Sequence, residues 1–370
     1  MSYHRIVIKL GTSLLTSGKD HLDLSVMANL VQQIAQLHHQ HKEIIVVSSG
    51  AIGAGRQKLK GVPERKITPF KQVLASVGQS HLMHTYECLF NQHDITIAQA
   101  LLTKADLSDR AGYLNARNTL LALIDLDIIC VVNENDVVAL DEIEELKFGD
   151  NDNLSAMVAN LVDADLLVLL TDTGGLYTAD PHCSPEAQLV RRVDRIDAEI
   201  ERLARTTASH QGTGGMITKI EAAKLATSSG IDLIIANGRE PDVLVRIDNG
   251  EDLGTFFPAQ VNKVESRKRW MLSGLASKGK VVVDKGAVLA LRKQNKSLLS
   301  PGVIKVDGDF QRGDIVDILS GEGKQIGYGI CNYSSADVAI IKGAHSDQIL
   351  SLLGHEYGDE VIHRNNMVIV

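Results

Sequence analysis

Six short apolar runs punctuate the first two-thirds of the chain: RIVIKL at 5–10, EIIVVSS at 43–49, ITIAQALL at 95–102, IICVVN at 128–133, DLLVLLT at 165–171 and IDLIIAN at 231–237. Their length and their richness in Ile, Val and Leu predict strands. Between the first two, Leu24, Met27, Leu30, Ile34 and Leu37 recur at intervals of three and four, the spacing that gathers side chains on one face of a helix. Leu154, Val158, Leu161 and Val162 repeat that pattern before the fifth run. Strand and helix in alternation predict an α/β fold, a three-layer αβα sandwich around a mostly parallel sheet. The runs are apolar throughout, as in strands covered on both faces.

From about residue 275 the texture changes to short pieces with Gly-containing turns: KVVVDKGAVLAL, GVIKVDGDF, GDIVDILSGEGKQIGYGI and ADVAIIKGA. No helical periodicity is read there before DQILSLL, which predicts a small β-rich domain or barrel. The expected organisation is a domain over 1–265, a linker over 266–275 and a β-rich domain with a C-terminal tail over 276–370. Charge shifts at the same place. Residues 1–265 carry 24 basic and 35 acidic side chains, whereas 266–370 carry 14 and 11.

Composition sets outer limits. The 370 residues are 44% hydrophobic and 23% charged with a net charge of −8, an ordinary globular balance. The longest apolar runs stop far short of the ~20 residues of a membrane span. The N-terminus enters a strand pattern without the order of a secretion signal. Cys88, Cys130, Cys183 and Cys331 are widely separated with no CxxC pair, so neither a zinc site nor a disulfide framework is suggested, and a cytoplasmic location is expected.

In an open α/β sheet, ligands bind beyond the carboxyl ends of the strands. The first strand ends in Lys9, Gly11, Thr12 and Ser13, the second in Ser48, Ser49, Gly50 and Ala51. Both are small-residue turns whose backbone N–H groups can approach an anion. A single such turn is common loop geometry, and two on neighbouring strands are more telling. No GxxxxGK[ST] occurs, and GAIGAG at 50–55 lacks the dinucleotide spacing. GTGGMITK at 212–219 joins a Gly-rich turn to Lys219, which suits nucleotide phosphates; a mobile surface loop fits that segment equally well. After the fourth strand come Asn133, Glu134, Asn135 and Asp136, an acidic insert, then Asp150, Asn151, Asp152 and Asn153. One or two of the last four serve as helix caps. The others form a surplus of carboxylates and amides able to hold an ammonium and a carboxylate. DEIEEL at 141–146 reads as a solvated face or hairpin.

KLGTS at 9–13, VVSSGAIGAGR at 46–56, VVNENDVV at 131–138, FGDNDNLSA at 148–156, LLTDTGGLYTADP at 169–181 and GTGGMITK at 212–219 together resemble the amino acid kinase family, in particular its members that phosphorylate glutamate. Residues 276 to about 355 resemble, more diffusely, the PUA domain that such enzymes carry. The resemblance implies transfer of the ATP γ-phosphoryl group to the side-chain carboxylate of L-glutamate, with Mg²⁺ carried mainly by the nucleotide phosphates and no protein metal site. It implies that Lys9 and Lys219 flank the phosphoryl group and that Asp152 orients both. Ser49, Gly50, Asn133, Asp136, Asp150 and Asn151 would bind glutamate. Lys9, Gly11, Thr171, Asp172, Thr213, Gly214, Gly215, Met216, Ile217, Thr218 and Lys219 would bind ATP. It further implies proline biosynthesis, inhibition by proline, a homo-oligomer, and glutamyl phosphate reductase as a partner. The acidic insert at 137–149, between the two polar clusters assigned to glutamate, is the expected device for that inhibition. Two alternatives are a sister kinase acting on acetylglutamate, aspartate, carbamate or UMP, and an RNA-binding role for the PUA-like region. Residues 266–300 hold nine basic side chains and one acidic, which as solvated linker charge need no RNA.

Overall fold

The computed structural model describes residues 3–63, 68–138, 151–181, 183–206, 215–261, 277–294 and 296–370. The chain divides into two compact units, Met1–Ser108 with Ala116–Lys263, and Asp109–Asn115 with Val264–Val370.

The first unit is built on a seven-stranded sheet: β1 (Arg5–Leu10), β2 (Glu43–Ser48), β3 (Ile97–Leu102), β4 (Ile129–Glu134), β5 (Leu166–Thr171), β6 (Asp232–Asn237) and β7 (Thr255–Phe257), in the order β3-β4-β2-β1-β5-β6-β7. The first six are parallel, and β7 adds antiparallel to β6. All six predicted strands are present with ends shifted by at most two residues. β7 was not predicted, because three residues are too few to display a period.

The helices are α1 (Thr12–Thr16), α2 (Leu24–His39), α3 (Ala51–Lys58), α4 (Thr68–Phe90), α5 (Lys104–Ser108), α6 (Arg110–Asp125), α7 (Asn151–Leu161), α8 (Ala198–Thr206), α9 (Met216–Ser228) and α10 (Val243–Asp248). Alternate residues of the central strands, such as Ile6, Ile8, Leu10, Val46 and Val168, form one core with Met27, Leu30 and Ile34 of α2, Leu82 and Tyr86 of α4, and Leu244 of α10. The residues between them, Val7, Ile45 and Leu167, are equally inaccessible, with α7 packed on β1 and β5 and α9 on α7 and β6. Both faces of these central strands are therefore desolvated, which is why they read as unbroken apolar runs, whereas the edge strand β3 leaves Gln99 and Leu101 exposed.

Two local devices fix the helices that matter below. α3 and α4 cross at glycines: a Cβ on Gly78 would lie 1.7 Å from the Ala51 carbonyl oxygen, and one on Gly55 1.9 Å from that of Leu74. Only the absence of side chains lets the two backbones meet. At the far end of α7, the guanidinium of the fully buried Arg117 donates to the Leu161 carbonyl and pairs with Asp163 at 2.6 Å. It thus satisfies a carbonyl that the helix end leaves unpaired.

The second unit holds β8 (Gly279–Val283), α11 (Lys285–Gln294), β9 (Leu298–Leu299), β10 (Val303–Gly308), β11 (Ile315–Ser320), β12 (Gln325–Ile330), α12 (Ser335–Ile341), α13 (Ile349–Leu353), β13 (Glu360–Ile362) and β14 (Met367–Ile369). Its five-stranded sheet runs β10-β8-β11-β12-β14, and β13 pairs with β9. Val281, Phe310, Val316, Ile318, Tyr333 and Ile341 are in its core. The β-rich expectation holds for the sheet, but GAVLAL and ADVAII, read as strand-like, lie in α11 and α12. α12 is started by a capping box in which Ser334 and Asp337 satisfy each other's backbone N–H groups. That short signal outweighs the β propensity of Val and Ile. Among the described residues no helix is long and apolar enough to cross a membrane.

Candidate active site

Four neighbouring strands, β4, β2, β1 and β5, deliver their carboxyl ends to one edge of the sheet. Lys9 sits one residue before the end of β1, paired with Val47 of β2 and Leu169 of β5. β1 and β5 flank the point where the chain switches direction across the sheet, the position at which such sheets open a crevice.

At the centre is Asp152 in the first turn of α7, with no solvent exposure. Lys9 Nζ lies 2.5 Å from its Oδ1 and Lys219 Nζ 3.2 Å from its Oδ2. Thr218 Oγ1 donates to the same Oδ2 at 3.0 Å. Both lysines are themselves buried. Burial alone would push the Asp152 carboxyl upward, but the two ammonium groups outweigh it and hold the group well below the usual carboxylate range. Two positive charges against one negative leave the cluster with a surplus of positive charge, in a place where water does not screen it.

The second cluster adjoins the first, because Asn151 precedes Asp152. Asn151 Nδ2 reaches the Ser48 carbonyl at 2.9 Å, Ser49 Oγ at 3.0 Å and Asn133 Oδ1 at 2.9 Å. Asn133 Nδ2 donates to Gln79 Oε1 of α4 at 2.7 Å. Beneath them the Ser48 hydroxyl lies 2.8 Å from that of Tyr86, whose ionisation burial pushes far above its ordinary range. The turn between β2 and α3 depends on Gly50, at φ +100 and directly before the helix. A Cβ there would meet Leu15 and Leu22 only at contact distance, 3.4 Å, so it is the left-handed backbone that calls for glycine.

Asp136, three residues beyond Asn133, is half-buried, and burial pushes its carboxyl up to about 6. On the other flank Thr171 ends β5 and donates to the exposed Asp172 at 3.0 Å. Gly215 caps α9 in extended conformation, Met216 is buried and Ile217 is exposed. Thr218 Oγ1 lies between Gly215 O at 2.8 Å and Asp152. Gly11 runs beside Lys9, and a Cβ on it would come within 3.6 Å of the lysine Nζ.

The structure thus unites Lys9, Asp152, Thr218 and Lys219 in one cluster, and Ser49, Asn133 and Asn151 in a second that touches it. Asp150, Thr213 and Gly214, with the insert from 139 onward, lie outside the described residues. Gln79 and Tyr86 were not picked out in the sequence. Gln79 follows Gly78 inside a long helical stretch, and what brings it to the site is the close crossing of that helix with the preceding one, α3, through Gly55 and Gly78, which no helical periodicity announces.

A model of the amino acid kinase family matches residues 4–237 and a model of the PUA domain matches residues 279–353. The chain is 57% identical, over all of its 370 residues and 99% of the relative, to a glutamate 5-kinase of Dehalococcoides mccartyi (strain CBDB1). It is 49% identical to the glutamate 5-kinase of Herpetosiphon aurantiacus over 98% of both chains, and 47% identical to that of Shewanella oneidensis over all of this chain and 99% of the relative. Agreement of this extent through both units leaves no part of the chain outside the match, and the chain belongs to the amino acid kinase family, among the glutamate 5-kinases.

Proposed function

We propose that the chain transfers the γ-phosphoryl group of ATP to the side-chain carboxylate of L-glutamate, forming L-glutamyl 5-phosphate, the first step of proline biosynthesis. The observation that carries this reading is the convergence of Lys9 and Lys219 on one buried carboxylate, Asp152, directly beside the Ser49–Asn133–Asn151 cluster. A glutamate carboxylate is ionised at neutral pH and attacks without a general base. The bond from phosphorus to the ADP oxygen breaks as the bond to the carboxylate oxygen forms. Nothing but alignment and charge stabilisation is then asked of the protein.

Lys9 and Lys219 provide that charge, one from β1 and the other from α9. Asp152 keeps both ammonium groups aimed and restrains their mutual repulsion. The N-termini of α7 and α9 add partial positive charge where phosphate oxygens lie. Thr171, Asp172, Thr213, Gly214 and the start of α9 from Gly215 to Lys219 hold the nucleotide. The Asp152 oxygens are committed to lysines and Thr218, so the divalent cation belongs to the substrate MgATP and is held by its phosphates and by water. Ser49, Gly50, Asn133, Asp136, Asp150 and Asn151 hold the α-ammonium and α-carboxylate of glutamate. Proline offers the same two groups without a side-chain carboxylate, which makes it an inhibitor competing for that end of the site.

The test is ADP release with glutamate, aspartate, acetylglutamate, carbamate and UMP as acceptors, with hydroxylamine present to trap an acyl phosphate as its hydroxamate. Glutamate should give both signals. Turnover of another acceptor in preference to glutamate would refute the reading.

A further inference from the structure

The three side-chain amides of the second cluster have a fixed polarity. The backbone N–H of Glu134 donates to Asn133 Oδ1 at 2.9 Å, which establishes that atom as the oxygen and leaves Nδ2 as the donor. Asn133 Nδ2 therefore meets Gln79 Oε1, and the Gln79 amino group is turned away from Asn133. On the other side, Asn151 must present Nδ2 to Asn133 Oδ1 and to the Ser48 carbonyl, which turns its own Oδ1 away. The chain therefore ends in a donor at Gln79 and an acceptor at Asn151. Both end atoms, Gln79 Nε2 and Asn151 Oδ1, are buried without a hydrogen-bond partner. Leaving one such group unmade costs about 1–3 kcal/mol, so a matched pair of them beside a catalytic cluster calls for a ligand that supplies the missing partners.

We infer that Gln79 is a specificity-determining residue that donates its outward N–H to the α-carboxylate of the amino acid substrate. The assignment rests on the glutamate-phosphorylating reading above. Order along the cluster decides which carboxylate is meant. The lysines that handle the reacting carboxylate pair with Asp152, Asn151 follows, then Asn133, and Gln79 stands at the end remote from the lysines. An acceptor such as Asn151 Oδ1 suits the α-ammonium. The remaining lone donor suits the anionic group on the same carbon. Because the polarity is anchored by a backbone N–H, the chain cannot invert to accommodate a substrate with a donor in place of that carboxylate.

Gln79→Glu keeps the shape and the bond from Asn133 but replaces the outward donor by an acceptor. Glutamate would be compared with its α-carboxamide, which retains the side-chain carboxylate, by kcat/KM at saturating ATP in wild type, Gln79→Glu and Gln79→Met. For glutamate, KM should rise by about tenfold or more in both variants while KM for ATP stays within about twofold. The preference for glutamate over the α-carboxamide should fall by about tenfold or more in Gln79→Glu, with a smaller fall in Gln79→Met. A loss of activity with that preference unchanged would overturn the inference and leave Gln79 a packing residue. Thermal unfolding of each variant shows whether the site is intact, and Gln79→Met carries the test if the buried carboxylate prevents folding. Failure of the wild type to phosphorylate glutamate would instead overturn the reading beneath it.

Discussion

Lys9 and Asp152, 143 positions apart in the chain, meet at 2.5 Å in a pocket where neither has appreciable solvent exposure. An isolated buried charge is costly, and a pair broken on one side typically loses about 3–5 kcal/mol. Here Lys219 makes the pairing two-to-one, so the two kinds of substitution differ. Lys9→Ala or Lys219→Ala leaves a neutral pair and should fold. Either should lower kcat by about a hundredfold or more, as loss of a charge partner in the transition state does. Asp152→Ala leaves two unneutralised ammonium groups and should lower both kcat and the unfolding temperature. Steady-state kinetics with thermal unfolding separates the cases, and a lysine variant with near-normal kcat would remove that lysine from the chemistry.

The contact of α3 with α4 predicts an effect away from the charges. Gly78→Ala places a methyl group 1.7 Å from the Ala51 carbonyl oxygen, which only separation of the two helices relieves. Overpacking of this kind costs about 1–3 kcal/mol and at times more. Ala51 starts α3 and Gln79 follows Gly78, so glutamate KM should rise along with the loss of stability. Gly321→Ala, with its nearest neighbour 3.7 Å away and no left-handed backbone, should change stability by less than about 0.5 kcal/mol. Equal unfolding temperatures for the two variants would show that α3 and α4 can separate freely.

The two glycine substitutions also mark what the sequence conveys. The central strands were readable because both of their faces are buried, which leaves an uninterrupted apolar signature; the edge strand β3, with Gln99 and Leu101 exposed, was readable from its length and its Ile and Leu content alone. Lys9, Asn133, Asn151, Asp152 and Lys219 were readable because they sit at the carboxyl ends of strands or in the first turns of helices, where such sheets open a crevice. Gln79 was not, since its function depends on a crossing between helices that a one-dimensional pattern does not encode. α11 and α12 were missed for another reason: in short elements rich in Val, Ile and Gly, local propensity opposes the tertiary outcome, and a cap of two polar residues decides it.

Inhibition by proline, if it arises in the glutamate site, should be relieved by glutamate and weakened by Asn151→Ala, which removes the amide that joins Ser48, Ser49 and Asn133. The same substitution should raise glutamate KM and leave ATP KM nearly unchanged. Titrating proline at several glutamate concentrations in the full-length protein checks this. Inhibition insensitive to both glutamate and Asn151→Ala would place the proline site elsewhere.

Asp136 gives the site a pH response whose sign can be worked out. Its carboxyl is raised to about 6 because burial disfavours the charged form. In the free protein it binds a proton over a pH range in which the unfolded chain, with a value near the ordinary ~3.9, has already lost it. Stability of the free protein therefore falls as pH rises from about 4 through 6, and Asp136→Asn should remove that loss, stabilising the free protein at pH 7 by about 1 kcal/mol or more. Binding has the opposite requirement. An α-ammonium beside Asp136 favours the ionised form, so glutamate binding should release a proton near pH 6, and glutamate KM should climb as pH falls below that value. In the Asp136→Asn variant, KM should be raised at every pH and lose this dependence. Calorimetric titrations in buffers of different ionisation heat count the proton, and KM measured from about pH 5.5 to 8 follows the curve. A wild-type KM that stays flat across pH 6, or an Asp136→Asn variant that keeps the slope, would separate Asp136 from the ammonium of the substrate.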